Sequence, residues 1–224
     1  MADKSKRKKK KKKQPFAPPP PPRSKQAIAI CVAATVVLLG LDLWSKTWAE
    51  ENISVARSTE IPVCEQDERG YEPPQRLATD AVVIVEDYIE LRYAENCNAA
   101  FGMGSSVPLT LRKIIFGLAA IVATGVLFFM FATGRGGPLF AWSVPLVVSG
   151  AVGNLVDRVR YGYVIDFIRC FNLPVLGEWP TFNVADITIT IGVVLLALDG
   201  FRKPAGETDD SGIEDALRAS GSEE

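Results

Sequence analysis

Three stretches decide how this chain is read: Gly150-Ala151-Val152-Gly153-Asn154-Leu155-Val156-Asp157-Arg158, then Gly162-Tyr163-Val164-Ile165-Asp166-Phe167, then Thr181-Phe182-Asn183-Val184-Ala185-Asp186. The first closes a long apolar run, the last opens the next, and Asp166 lies between them. An ionisable side chain at membrane depth is costly and is a functional hypothesis by default. Two carboxylates brought to one spot point to acid–base chemistry, because neighbouring like charges push their proton affinities apart. The chain contains no histidine. A Ser-His-Asp triad, a Cys-His pair and a His-ligated metal site are therefore excluded, and if the protein activates water, carboxylates do it.

Outward from these stretches, charge and apolarity are segregated. Of 224 residues, 48% are hydrophobic and 23% charged, which is compatible with long apolar runs only because the charge gathers at the ends. Residues 1–25 hold a lysine run (Lys4 to Lys13) and a proline tract, read as a disordered cytoplasmic tail. No interleaved aromatics or recognisable fold supports a nucleic-acid arm, so nucleic acid is not an expected partner. Membrane lipid is one, since basic residues beside a span are drawn to anionic headgroups by roughly 1 kcal/mol each. Residues 204–224 read as a disordered acidic tail.

Between the tails, 26–203 reads as one α-helical integral membrane domain with four transmembrane helices, at about 27–48, 114–132, 138–156 and 184–201. In the first, the uncharged stretch 26–41 falls short of the ~20 residues a bilayer requires. Asp42 and Lys46 follow at i, i+4, a spacing that pairs them on one helix face. A cleaved signal peptide is the rival reading; the long basic lead and the lack of a small-residue cleavage site count against it. Loop charges, led by the N-terminal lysines, place both termini in the cytoplasm. The insertion at about 50–112 then lies outside, where Tyr88-Ile89-Glu90-Leu91-Arg92-Tyr93 alternates as a strand and 82–85 supplies a partner. That small extracytoplasmic β element lies between helices 1 and 2, and 157–182 forms a second outer hairpin.

This topology gathers the polar residues at one outer level: Asp42 and Lys46; Asn154, Asp157 and Arg158; Asn183 and Asp186; and Glu95-Asn96-Cys97-Asn98-Ala99-Ala100-Phe101-Gly102. The set resembles the lipoprotein signal peptidase (signal peptidase II) family of bacterial membrane aspartyl proteases. The resemblance rests on Asp42/Lys46, Asn96-x-x-Ala99-Ala100-Phe101, Gly153-Asn154-x-x-Asp157-Arg158 with Gly162-x-Val164-x-Asp166-Phe167, and Phe182-Asn183-x-Ala185-Asp186. It implies that Asp166 and Asp186 are the catalytic pair, that Asn154, Arg158 and Asn183 line or brace the site, and that Asn96 reaches in from the outer loop. It also implies a diacylglyceryl-prolipoprotein substrate, cut N-terminal to the lipidated cysteine, in the bacterial inner membrane, with no metal or other cofactor and a monomeric enzyme. Where the family carries glycine this chain has Asn98, a residue that tolerates a left-handed backbone.

Each feature has a blander reading. Asp42 and Lys46 are expected as a structural ion pair, and Asp157 as a partner of Arg158 or Arg160. Gly150 and Gly153 suit close helix packing; Trp44, Trp48 and Trp179 suit the membrane interface. Cys64 and Cys97 are the candidate disulfide, with Cys170 a competitor. The alternative function is a small cation- or proton-coupled transporter. Transporters carry their ionisable residues near the midplane, in broken helices or repeated halves, whereas these gather at one face with no internal repeat.

Overall fold

The computed structural model describes residues 19–55, 78–97, 109–174 and 177–201. Residues 1–18 of the basic tail, the acidic tail, the segment holding Cys64 and the 98–102 part of the outer motif lie outside the described residues, whereas residues 19–25, read from the sequence as part of a disordered tail, are placed and lead into α1. The elements run α1 (Lys25–Asn52), β1 (Val82–Val85), β2 (Ile89–Asn96), α2 (Leu109–Ala132), α3 (Pro138–Arg160), β3 (Val164–Leu173), β4 (Gly177–Phe182) and α4 (Val184–Gly200). Local chemistry marks the helix ends. The Ser24 hydroxyl oxygen accepts from Ala27 N at 3.2 Å, an N-cap that starts α1. Pro138 occupies the first turn of α3, where its missing N–H costs nothing.

The helices are apolar outside, and inside they are polar at one end and apolar at the other, where Cys31, Phe131, Phe140 and Val144 pack together. Val36, Val37 and Leu41 on α1, Ile121, Val122 and Phe129 on α2, and Val193, Val194 and Leu198 on α4 are all exposed. Asp42, Lys46, Ser149, Asn154, Asp157 and Asn183 are buried. This inversion suits a bundle whose outer surface meets lipid. Among the described residues two helices are long and apolar enough to cross a membrane, α1 with mean hydropathy 2.3 and α3 with 1.7. α4 is 17 residues long.

α3 is the hub, packing against α1, α2 and α4. Its glycines permit the contact. A Cβ on Gly150 would stand 2.6 Å from Thr188 Oγ1 and 2.7 Å from Ile189 Cγ1, and one on Gly153 would overlap the Asp42 carboxylate. On the facing helix, a Cβ on Gly192 would press on Ser143 O and Val147 N, both at 3.1 Å.

The strands form one antiparallel sheet in the order β1-β2-β3-β4. The sequence places the β element between the first two helices; in the structure half of the sheet comes from the hairpin between α3 and α4. Without β3, the far edge of β2 would expose unpaired N–H and C=O groups. The register pairs Ala94 with Asp166 and Asn96 with Val164, so Asn96 and Asp166 are diagonal neighbours on one face. The opposite face covers a cluster of Ala49, Ile53, Tyr93, Tyr163, Ile165 and Phe167, with Trp48 packed against it. Trp48 is thus partly buried under the sheet, while Trp44 and Trp179 are exposed. α3 runs on to Arg160, which puts Asp157 and Arg158 in its last turn rather than in a loop.

Candidate active site

Asn183 opens α4 through a reciprocal cap. Its side-chain oxygen accepts from Asp186 N at 3.1 Å, and Asp186 Oδ2 accepts from Asn183 N at 3.2 Å. This is a capping box, and it sets Asp186 in the first turn, where the helix dipole favours negative charge. The Asn183 amide nitrogen donates to Asp166 Oδ1 at 2.6 Å, and lies 3.2 Å from both Ile165 O and Asn154 Oδ1. One buried asparagine therefore holds both aspartates.

Each aspartate has a second amide. Asn96 Nδ2 donates to Asp166 Oδ2 at 2.9 Å, reaching across the sheet from β2. Asn154 Nδ2 donates to Asp186 Oδ1 at 2.9 Å from α3. The Arg158 guanidinium donates to Asn154 O at 3.1 Å and lies within Coulombic reach of Asp166, Asp186 and Asp157. Asp166 is 2% exposed. Burial, reinforced by the charge of Asp186, pushes its carboxyl up to about 7 against the opposing pull of Asn96, Asn183 and Lys46. A carboxyl held there exchanges its proton near neutral pH.

Beneath the aspartates lies a buried ionic knot. Lys46 Nζ is 2.9 Å from Asp42 Oδ2, 3.0 Å from Asp157 Oδ2 and 2.9 Å from Asn154 Oδ1. Asp42 Oδ1 accepts from Ala185 N at 2.8 Å, tying α1 to the first turn of α4. Asp157 Oδ2 accepts from Ile165 N at 3.2 Å, tying α3 to β3. Asp42 and Lys46 pair as their spacing implies. Asp157 differs: its cation is Lys46 across the bundle, not Arg158 or Arg160, because in the last turn of α3 its side chain points inward, to 2% exposure.

The nine candidate site residues, Asp42, Lys46, Asn96, Asn154, Asp157, Arg158, Asp166, Asn183 and Asp186, therefore fall in one connected cluster. Glu95, quoted in the outer motif but given no role there, is buried beside Tyr93, whose hydroxyl lies 3.3 Å from Glu95 Oε1. Burial, with the charge of Glu95, pushes the Tyr163 phenol up to about 12. The signal was present: Glu95 is in phase with Ile89, Leu91 and Tyr93 on the inward face of β2. Cys97 is disulfide-bonded, whereas Cys31 and Cys170 are free, which removes Cys170 as a competitor. Among the described residues no group of three or more His, Cys, Asp or Glu is placed to hold a metal ion.

The chain is similar to known proteins. The sequence model of the signal peptidase (SPase) II family matches residues 34–202. A lipoprotein signal peptidase of Anaeromyxobacter sp. is 32% identical over 199 residues, covering 86% of this chain and 94% of that protein. That of Syntrophus aciditrophicus is 35% identical over 127 residues, 55% of this chain and 76% of that protein. A bacterial membrane enzyme solved by the in meso method at 2.3 Å has the same fold, with TM-score 0.57 and 21% identity over 81% of this chain and 93% of its own. With the family's sequence matched from α1 to the end of α4, the chain belongs to the signal peptidase II family, the aspartic peptidases of the bacterial membrane that process lipoproteins.

Proposed function

We propose that Asp166 and Asp186 are the carboxylates with which this enzyme removes signal peptides from prolipoproteins, Asp186 as the base and Asp166 as the acid. The observation that carries the reading is Asn183, which donates to Asp166 and caps the helix that presents Asp186. Asp186 sits in the first turn of α4, at the positive end of the helix dipole. Asp166 lies on a buried strand, where the neutral form is favoured.

The reaction then runs without a covalent intermediate. Asp186 takes a proton from water as the oxygen attacks the scissile carbonyl carbon, and Asp166 donates its proton to the carbonyl oxygen. The resulting gem-diol collapses: Asp166 recovers a proton from one hydroxyl, and Asp186 passes its proton to the departing nitrogen. Both carboxyls return to their starting states. Arg158 and the amides of Asn96 and Asn154 orient the pair and oppose its charge.

The substrate that fits is a precursor whose cysteine carries diacylglycerol, cut on the N-terminal side of that cysteine. The ends of α1, α3 and α4 meet the sheet at the site, so the lipid chains would stay among the apolar helix flanks while the scissile bond meets water. In this reading all four helices span the bilayer, both termini are cytoplasmic, the sheet lies outside, and the enzyme works as a monomer. Residues 26–203 form the catalytic domain and the charged tails are dispensable for it.

The test is cleavage of a diacylglyceryl precursor peptide by purified enzyme. Asp166→Asn and Asp186→Asn should each lose on the order of 10²–10⁴-fold in rate while staying folded. Normal cleavage by both variants would overturn the assignment, and equal cleavage of the unlipidated peptide would overturn the substrate. Reporter fusions after residues 135 and 203 should both be cytoplasmic; an external reporter at either would refute the topology. The transporter reading gains nothing from the geometry.

A further inference from the structure

At the end of the bundle away from the aspartates, the chain enters α1 through Pro21, Pro22 and Arg23, packed on the α2–α3 turn. Arg23 N donates to Ala132 O at 3.0 Å, and Arg23 Nη2 donates to Gly136 O at 2.9 Å. The guanidinium carbon stands 5.5 Å from the centre of the Phe131 ring. Its Nε is buried with no hydrogen-bond partner, and Arg23 makes no ion pair among the described residues. The acid at this end, Asp199, makes no ion pair with it among the described residues: its Oδ2 accepts from Gly137 N at 2.9 Å, and its buried Oδ1 has no hydrogen-bond partner.

Arg23 borders a cavity of about 200 Å³ lined by Ala27, Ile30, Ala34, Phe131, Trp142 and Pro145. Its walls are apolar apart from the arginine, and Ile30 and Trp142 open it to the flank of the bundle. A buried N–H of a guanidinium left without a partner is costly, and an apolar groove is satisfied by hydrocarbon. A ligand that meets both needs carries a phosphate and an acyl chain on one molecule.

We propose that this pocket binds an anionic phospholipid from the leaflet at the N-terminal end of the bundle, its phosphate on Arg23 and part of one acyl chain in the groove. Charge complementarity selects the partner. Lys25 and Arg135 are exposed at the same end, and the lysine run of residues 4–13 lies just upstream. A zwitterionic lipid offers the same chain without the net negative charge. The site is independent of the catalytic assignment and would hold the start of α1 against the α2–α3 turn.

The experiment is thermal unfolding of the full-length protein in detergent, with added dioleoyl phosphatidylglycerol, dioleoyl phosphatidylcholine or inorganic phosphate. Phosphatidylglycerol should raise Tm by about 5 °C or more when well above its Kd, and the other two should not. Arg23→Gln should abolish most of the shift while still cleaving substrate in detergent. Ala34→Trp, which fills the groove and keeps the arginine, should reduce it as well, and serves alone if Arg23→Gln does not fold. Removal of residues 1–14 should leave the shift in place. Equal shifts with both lipids, an equal shift with inorganic phosphate, or loss on removing the tail alone would each overturn the proposal.

Discussion

Lys46 Nζ lies 2.9 Å from Asn154 Oδ1, and the nitrogen of the same amide lies 2.9 Å from Asp186 Oδ1. An ammonium only donates, so it fixes which end of the Asn154 amide faces it and leaves the N–H₂ aimed at Asp186. The buried lysine thereby acts on the proposed base without touching it.

Lys46→Met should therefore damage two things at once. It strands Asp42 and Asp157 in the interior, and breaking a buried ion pair costs about 3–5 kcal/mol. It also leaves the Asn154 oxygen held by the Asn183 amide alone, at 3.2 Å, and this weaker hold should lower kcat by on the order of 10²-fold with little change in KM. Adding Asp157→Asn should restore part of the lost Tm, because one stranded charge is gone, but not the lost kcat. If rate and Tm recover together, Lys46 is structural only.

The position of Asp166 sets a pH dependence. Burial holds its carboxyl near 7, so it keeps its proton below that pH and loses it above. As the acid it must be protonated, and kcat/KM should fall as pH rises through about 7. Asn96 donates to this carboxyl and holds its proton affinity down, so Asn96→Ala should move the limb to higher pH. Stability follows the same sign. Folded Asp166 stays neutral where the unfolded chain has already ionised, so its contribution is largest at acidic pH and is lost as pH climbs towards 7. A rate profile of the variant whose limb is unmoved, or moved downward, would contradict the assignment.

Helix packing makes a sharper claim than hydropathy does. A Cβ at Gly150 would overlap the backbone of Ala185, and one at Gly153 the Asp42 carboxylate. Neither neighbour can yield, since Ala185 N is bonded to Asp42. Alanine at either position should cost about 1–3 kcal/mol and reduce activity by shifting the first turn of α4. Gly117→Ala would only touch Leu155 at 3.7 Å and should leave both Tm and rate unchanged. Comparing thermal unfolding of the three variants checks this; a Gly117→Ala penalty equal to the others would show a general cost of losing glycine.

How much of this was legible in the chain depends on range. The apolar runs announce α1 to α4 because membrane helices need length and hydropathy, both local properties. The alternation from Tyr88 to Tyr93 announces β2 for the same reason. That β2 pairs with β3 is not local. Residues 70 positions apart, Asn96 and Asp166, meet only because the sheet joins two separate outer segments, and no periodicity in either segment encodes the partner. Asp157 shows the same limit: next to Arg158 it reads as a local pair, while its real cation, Lys46, is over 100 residues away. The tie between Asn183 and Asp186 is local yet went unread, although asparagine three residues before an acid at a helix start has capping-box spacing.

That cap separates the two duties of Asn183. As N-cap it accepts from Asp186 N through its oxygen; as a bridge it donates through its nitrogen to Asp166. Serine can perform the first duty and not the second, because its hydroxyl is short and sits at the cap. Asn183→Ser should keep α4 capped yet lose the hold on Asp166, giving a folded enzyme with kcat reduced by about 10²-fold. Asn183→Ala loses both, and should be less stable than the serine variant by a further ~1 kcal/mol with a similar rate. The measurement is Tm and kcat for the two side by side. Equal stability would mean that the cap contributes nothing to α4, and a serine variant with full activity would mean that the aspartates do not need the bridge.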